Sequence, residues 1–165
     1  MMSRTHRRLF VIAFTILLMS GAAGAGAQEQ CTAASLDGSY AFQVDGANVS
    51  NPYLPPGPFA AVGRNTYDGK GHLGGSIVVS ANGSIIPATY TGTYTVNPDC
   101  TGHKSALLSL GLVVEFDFVI DDNLREIRMI VTRAGPPNAG VDGLTVSGTA
   151  RKLFAHGKSK DGHGN

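Results

Sequence analysis

The sequence has no tryptophan, only two cysteines and few charges: Asp, Glu, Lys and Arg make up 15% of its 165 residues. Thirteen basic side chains against twelve acidic ones leave a net charge of +1, without the basic surplus that grips nucleic-acid phosphates. Disorder is excluded too, because a chain 42% hydrophobic with almost no net charge lacks the composition that prevents folding. No stretch shows sustained helical periodicity, and there is no Cys-x-x-Cys pair, G-x-S-x-G elbow, H-E-x-x-H run or EF-hand spacing. Glycine, by contrast, is plentiful. Its 22 occurrences follow no period of three, which excludes collagen and leaves turns and bent strands to account for them.

Residues 1–27 form a segment apart. Arg4, His6, Arg7 and Arg8 precede an apolar stretch from Leu9 to Met19, and Ala25-Gly26-Ala27 supplies small residues at a cleavage point. This is the pattern of a secretory signal peptide, and its apolar run is shorter than the roughly 18 residues of a membrane span. Cleavage after Ala27 removes three arginines and leaves ten basic against twelve acidic side chains, a mildly acidic domain with no membrane span. Cys31 and Cys100 would then enter an oxidising compartment, secreted or periplasmic, where a pair of thiols is expected as a disulfide.

From there the chain reads as strands and turns. Apolar and polar residues alternate with period two in five segments. Tyr40, Phe42 and Val44 share one face, as do Tyr90, Gly92, Tyr94 and Val96; Val114, Phe116, Phe118 and Ile120; Ile127, Met129 and Val131; and Leu144, Val146 and Ala150. Weaker patterns at 59–67, 73–80 and 104–110 bring the count to about eight. Asn82-Gly83 is a hairpin signal, and Asp68 to Gly71, Asn97 to Asp99 and Asp121 to Asn123 are turn sequences. Short connections predict an all-β antiparallel meander, either an up-and-down barrel or a β-sandwich, in a single domain spanning 28–154. Proline-rich stretches at 47–58 and 134–143 predict surface connections, and 155–165 a disordered tail.

Four motifs carry a resemblance: Leu36-Asp37-Gly38-Ser39-Tyr40-Ala41-Phe42, Thr66-Tyr67-Asp68-Gly69-Lys70-Gly71 after Ala61-Val62-Gly63, Gly92 through Gly102, and Phe116-Asp117-Phe118-Val119-Ile120. Together they resemble small secreted bacterial proteins of uncharacterised function with single barrels of the calycin or allene-oxide-cyclase kind. The resemblance spans about Cys31 to Phe154 and implies a calycin-like barrel. It transfers no catalytic residue, because the plant cyclases' polar site has no match here.

Chemistry is otherwise sparse. Gly69 to Gly74 fits G-x-G-x-x-G but is followed by a strand pattern, so no helix dipole would support a dinucleotide, and no cofactor is implied. His72 and His103 follow turn glycines, and Asp121-Asp122 sits at a hairpin, so turn and surface roles suit them better than metal ligation. Tyr40, Phe42, Tyr90, Tyr94, Phe116 and Phe118 lie on apolar strand faces and form the candidate lining of a pocket for a small apolar ligand. Three readings follow: a secreted barrel that binds such a ligand, an allene-oxide-cyclase-like isomerase, or an envelope interaction protein. Gly75, Gly92 and Gly148 fall on apolar faces, where they predict strongly bent, inward-facing positions of a closing barrel.

Overall fold

The computed structural model describes residues 30–121 and 123–153; the expected signal peptide of 1–27 and the expected disordered tail of 155–165 lie outside them. The chain folds into eight strands, β1 (Asp37–Asn48), β2 (Gly57–Asp68), β3 (His72–Ala81), β4 (Ser84–Val96), β5 (Thr101–Leu108), β6 (Val113–Asp121), β7 (Glu126–Gly135) and β8 (Leu144–Lys152). Each pairs antiparallel with its neighbour in sequence, and β8 pairs back onto β1 from Tyr40↔Lys152 to Asn48↔Leu144. Closure decides between the two architectures, because a sandwich would leave free edges at β1 and β8 and a barrel has none. Among the described residues no helix is long and apolar enough to cross a membrane.

The period-two pattern sets which side chains point inward. In β1 Tyr40, Phe42 and Val44 are buried between exposed Ala41, Gln43 and Asp45, and β4, β6 and β8 repeat the alternation. The outer face of β4 is a row of threonines, Thr89, Thr91, Thr93 and Thr95, all exposed. One irregularity interrupts the pairing of β6 with β7, where the register shifts between Glu115 and Phe116 and Thr132 is left without a partner opposite. At the β3–β4 turn Asn82 and Gly83 have φ of 47° and 87°, both central residues left-handed, which matches the twist of the flanking strands.

Gly75, Gly92 and Gly148 sit at points of close strand approach. A Cβ on each would lie 2.0 Å from a backbone carbonyl oxygen of the next strand, that of Arg64, Ser105 and Gln43 respectively. Only a residue without a side chain fits there. Gly63 and Gly102 behave alike, although the sequence pattern does not single them out, and aromatic rings cover three of these positions: Phe42 over Gly63, Tyr90 over Gly75 and Phe118 over Gly102.

Two expectations need adjusting. The proline-rich stretches are shorter connections than the sequence suggests, since Ala47, Asn48, Gly57 and Pro58 belong to strands, as do Ala134 and Gly135. A single 3₁₀ turn, Ala33–Leu36, also precedes β1, too short to leave a periodic signature.

Candidate ligand cavity

The barrel's two ends are built differently. At one end the disulfide Cys31–Cys100, with Cα atoms 4.9 Å apart, ties the segment before β1 to the β4–β5 turn. Leu36 is fully buried there. Behind it Tyr40, Tyr67 and Tyr94 pack edge to face, with centroids 5.4 Å and 5.1 Å apart. The Tyr94 hydroxyl donates to the Ala33 carbonyl at 2.9 Å and the Tyr40 hydroxyl to that of Leu124 at 3.3 Å. Burial pushes the Tyr40 hydroxyl up to about 12 and raises those of Tyr67, Tyr90 and Tyr94 as well. This end is a plug.

Toward the other end the interior is not filled. A cavity of about 90 Å³ extends along the axis, walled by Phe42, Leu73, Val79, Tyr90, Phe116, Val131 and Val146, and reaches a rim formed by Leu54, Phe59, Ile86, Leu110, Leu112 and Leu144. Leu110 at the rim is 49% exposed. The rim is held by polar groups beneath it. Asn48 Nδ2 donates to the carbonyls of Asn51 at 2.9 Å and Leu54 at 2.7 Å, and Asn51 Nδ2 to those of Ala134 at 2.9 Å and Val141 at 3.0 Å. The Val49 amide donates to the Gly143 carbonyl at 2.8 Å. The β1–β2 and β7–β8 loops are therefore fastened to one another, and Leu54 and Pro55 enter the cavity lining as part of a fixed rim.

One group in this lining is out of character. Lys104, on the inward face of β5 between Gly102 and Ala106, is only 4% exposed. Its Nζ lies 3.3 Å from Met129 Sδ and 4.4 Å from the centre of the Phe116 ring. Among the described residues no carboxylate pairs with it: Glu115 pairs with Arg133, Asp117 with His103, and Glu126 with Arg128 and Arg151. Desolvation without a counter-ion lowers its ammonium to about 7. Asn65, also in the lining, takes a hydrogen bond from the Tyr90 hydroxyl on Oδ1, while its buried Nδ2 has no partner.

Of the six aromatic candidates, Phe42, Tyr90 and Phe116 line the cavity. Tyr40 and Tyr94 belong to the plug, and Phe118 is buried over Gly102. One apolar face thus serves two purposes along its length. The sequence pattern passes over Lys104, although Gly102, Lys104, Ala106 and Leu108 alternate with exposed Thr101, His103 and Leu107, so a lysine occupying an inward slot is the available signal. It also passes over Asn48 and Asn51, which resemble any strand-end or turn asparagine, and over Asn65 inside β2.

Among the described residues no group of three or more His, Cys, Asp or Glu side chains is placed to hold a metal. His72 pairs with Asp68 at 3.1 Å and His103 with Asp117 at 2.8 Å on the outer surface. Backbone hydrogen bonds from His72 and Lys70 hold the Asp68 carboxyl below its usual range, as expected of a turn former.

No protein-family model matches the chain, and no curated protein does. Solved structures with similar folds include designed barrels. A de novo fluorescence-activating β-barrel matches with a TM-score of 0.51 at 12% identity, covering 73% of this chain and 96% of that one. The barrel EF1p2_mFAP2b, bound to DFHBI, matches at 0.51 and 11% identity over 72% and 94% of the two chains. A redesigned barrel, mFAP1, also bound to DFHBI, gives 0.47 at 20% identity over 73% and 97%. At such identities the likeness is one of fold: this chain is a closed, eight-stranded, up-and-down β-barrel.

Proposed function

We propose that the protein is an exported barrel that binds a small, slim apolar molecule through its open end. The observation that carries this reading is the cavity: about 90 Å³ of apolar-walled space continuous with an exposed leucine rim. An apolar cavity of roughly 150 Å³ takes up benzene, so the enclosed part here suits an alkyl chain better than a ring system. The rest of such a ligand would lie against the rim. Export is supported by the signal pattern of residues 1–27 and by the disulfide, and a calycin-like relationship by the up-and-down closure. The designed barrel bound to DFHBI adds that such a closed sheet can carry a ligand-binding protein.

An interaction protein has less support, because its outward apolar side chains, Val62, Val78 and Ile85, accompany an interior that is not packed solid. Isomerase-type chemistry would draw on Lys104.

Displacement by unbranched alkanols of the apolar dye Nile red, whose N-ethyl groups would enter the cavity while its rings lie against the rim, tests the binding. Each added methylene should tighten binding about fourfold, from ~0.8 kcal/mol per buried CH₂, until the cavity is full. Ala106→Phe, which places a ring in the cavity, should abolish dye uptake while near-ultraviolet circular dichroism stays native. Absence of saturable dye binding to the wild-type protein would remove this reading.

A further inference from the structure

Resting on the cavity reading, we propose that Lys104 forms an imine with an unbranched aliphatic aldehyde that enters the barrel tail-outward. Three placements carry the inference. Nζ stands in the cavity lining against a thioether and an aromatic ring, and among the described residues no carboxylate pairs with it to hold it as an ammonium. The walls beyond it are apolar as far as the rim, which suits an alkyl chain and excludes the water that competes for a carbonyl carbon. Asn65 Nδ2 is a buried donor in the same lining without an acceptor, able to hydrogen-bond an oxygen delivered there.

A lysine that desolvation leaves about half uncharged at pH 7 is a nucleophile there, whereas an exposed ammonium is not. The groups facing it agree with this: Met129 from β7 and Phe116 from β6 carry no charge, and the acidic side chains of β6 and β7 are paired elsewhere. In the reaction the nitrogen lone pair attacks the carbonyl carbon and the C=O π electrons move to oxygen. Two protons pass from nitrogen to that oxygen, the C–O bond breaks, and water leaves as C=N forms. Amine plus aldehyde thus gives imine plus water, with no oxidant or reductant.

The test uses the folded wild-type chain, one equivalent of octanal and cyanoborohydride at pH 7, with the adduct located by peptide mass mapping. Lys104 should be alkylated at least ~10-fold faster than exposed Lys70 or Lys152, as its neutral fraction at this pH requires. Lys104→Met should lose that adduct while its near-ultraviolet circular dichroism stays native. Alkylation spread over the surface lysines with Lys104 unmodified, in a protein that still binds Nile red, overturns the imine and leaves the cavity reading standing. Displacement of the dye by octanoate, with no octanal adduct, overturns it in the same way. If Nile red itself does not bind, both fall.

Discussion

Lys104 costs the fold stability whenever it must be charged. Its ammonium titrates near 7 in the native barrel against 10.5 in the open chain, so between these values the unfolded state binds the extra proton. Stability on this account rises with pH from about 7 to about 10 and is lowest, and flat, below 7. The tyrosines act in the opposite sense. The hydroxyls of Tyr40, Tyr67, Tyr90 and Tyr94 ionise later in the folded state than in the unfolded one, so above pH 10 the unfolded chain releases protons first and stability falls. Urea unfolding across pH 6–11 should therefore show a maximum near 10. Lys104→Met should raise stability at pH 6 by roughly 3 kcal/mol and remove the rise between 7 and 10, because a thioether of similar length fills the slot without charge. An unchanged profile in this variant would show that Lys104 does not carry the pH dependence. A lysine at an inward position is a residue-scale exception to the strand pattern. Judging the alternation of β5 by its apolar members alone hides it.

Strands and turns are the most legible layer. Period-two alternation marks five of the eight strands, and weaker patterns the other three, because a closed barrel gives its strands one buried and one wet face. Where the pattern is uninformative, the reason is local. Asn48 lies at a strand end and its side chain holds the rim, and the register shift in β6–β7 leaves no mark in composition. The inward glycines are legible because a gap on an apolar face demands an explanation. Their role can be separated from that of turn glycines. Gly92→Ala would drive a methyl onto the Ser105 carbonyl and against Ala106, both backbone, and should destabilise by about 2–4 kcal/mol. At Gly83 an added Cβ meets nothing within 4 Å, so the strain of a left-handed alanine is the whole cost, about 1 kcal/mol. Thermal unfolding of the two variants checks the order, and equal losses would contradict a close-approach role for Gly92.

On the scale of the whole molecule, the strand count and short connections leave a barrel and a sandwich both open, and they do not say which end of the barrel is open. That asymmetry depends on contacts between residues far apart in the chain: Tyr94 with Ala33 at the plug, Asn51 with Ala134 at the rim. The two ends are fixed by separate devices, so they should fail separately. Replacing Cys31 and Cys100 together by Ser opens a loop of 69 residues and should cost about 4 kcal/mol in urea unfolding. The plug loosens, but the rim keeps its asparagine bonds, so Nile red uptake by the folded variant should be nearly unchanged. Asn51→Ala does the reverse. It removes the side-chain bonds to the Ala134 and Val141 carbonyls and loosens the β1–β2 loop from the β7–β8 loop, which keep the backbone bonds to Gly143, for about 1–3 kcal/mol. Leu54 and Pro55 then lose their fixed place in the lining, and dye affinity should fall several-fold although less stability has been lost. A disulfide variant that binds no dye, or an Asn51 variant that binds it as well as wild type, would place the ligand's route at the plug instead of the rim.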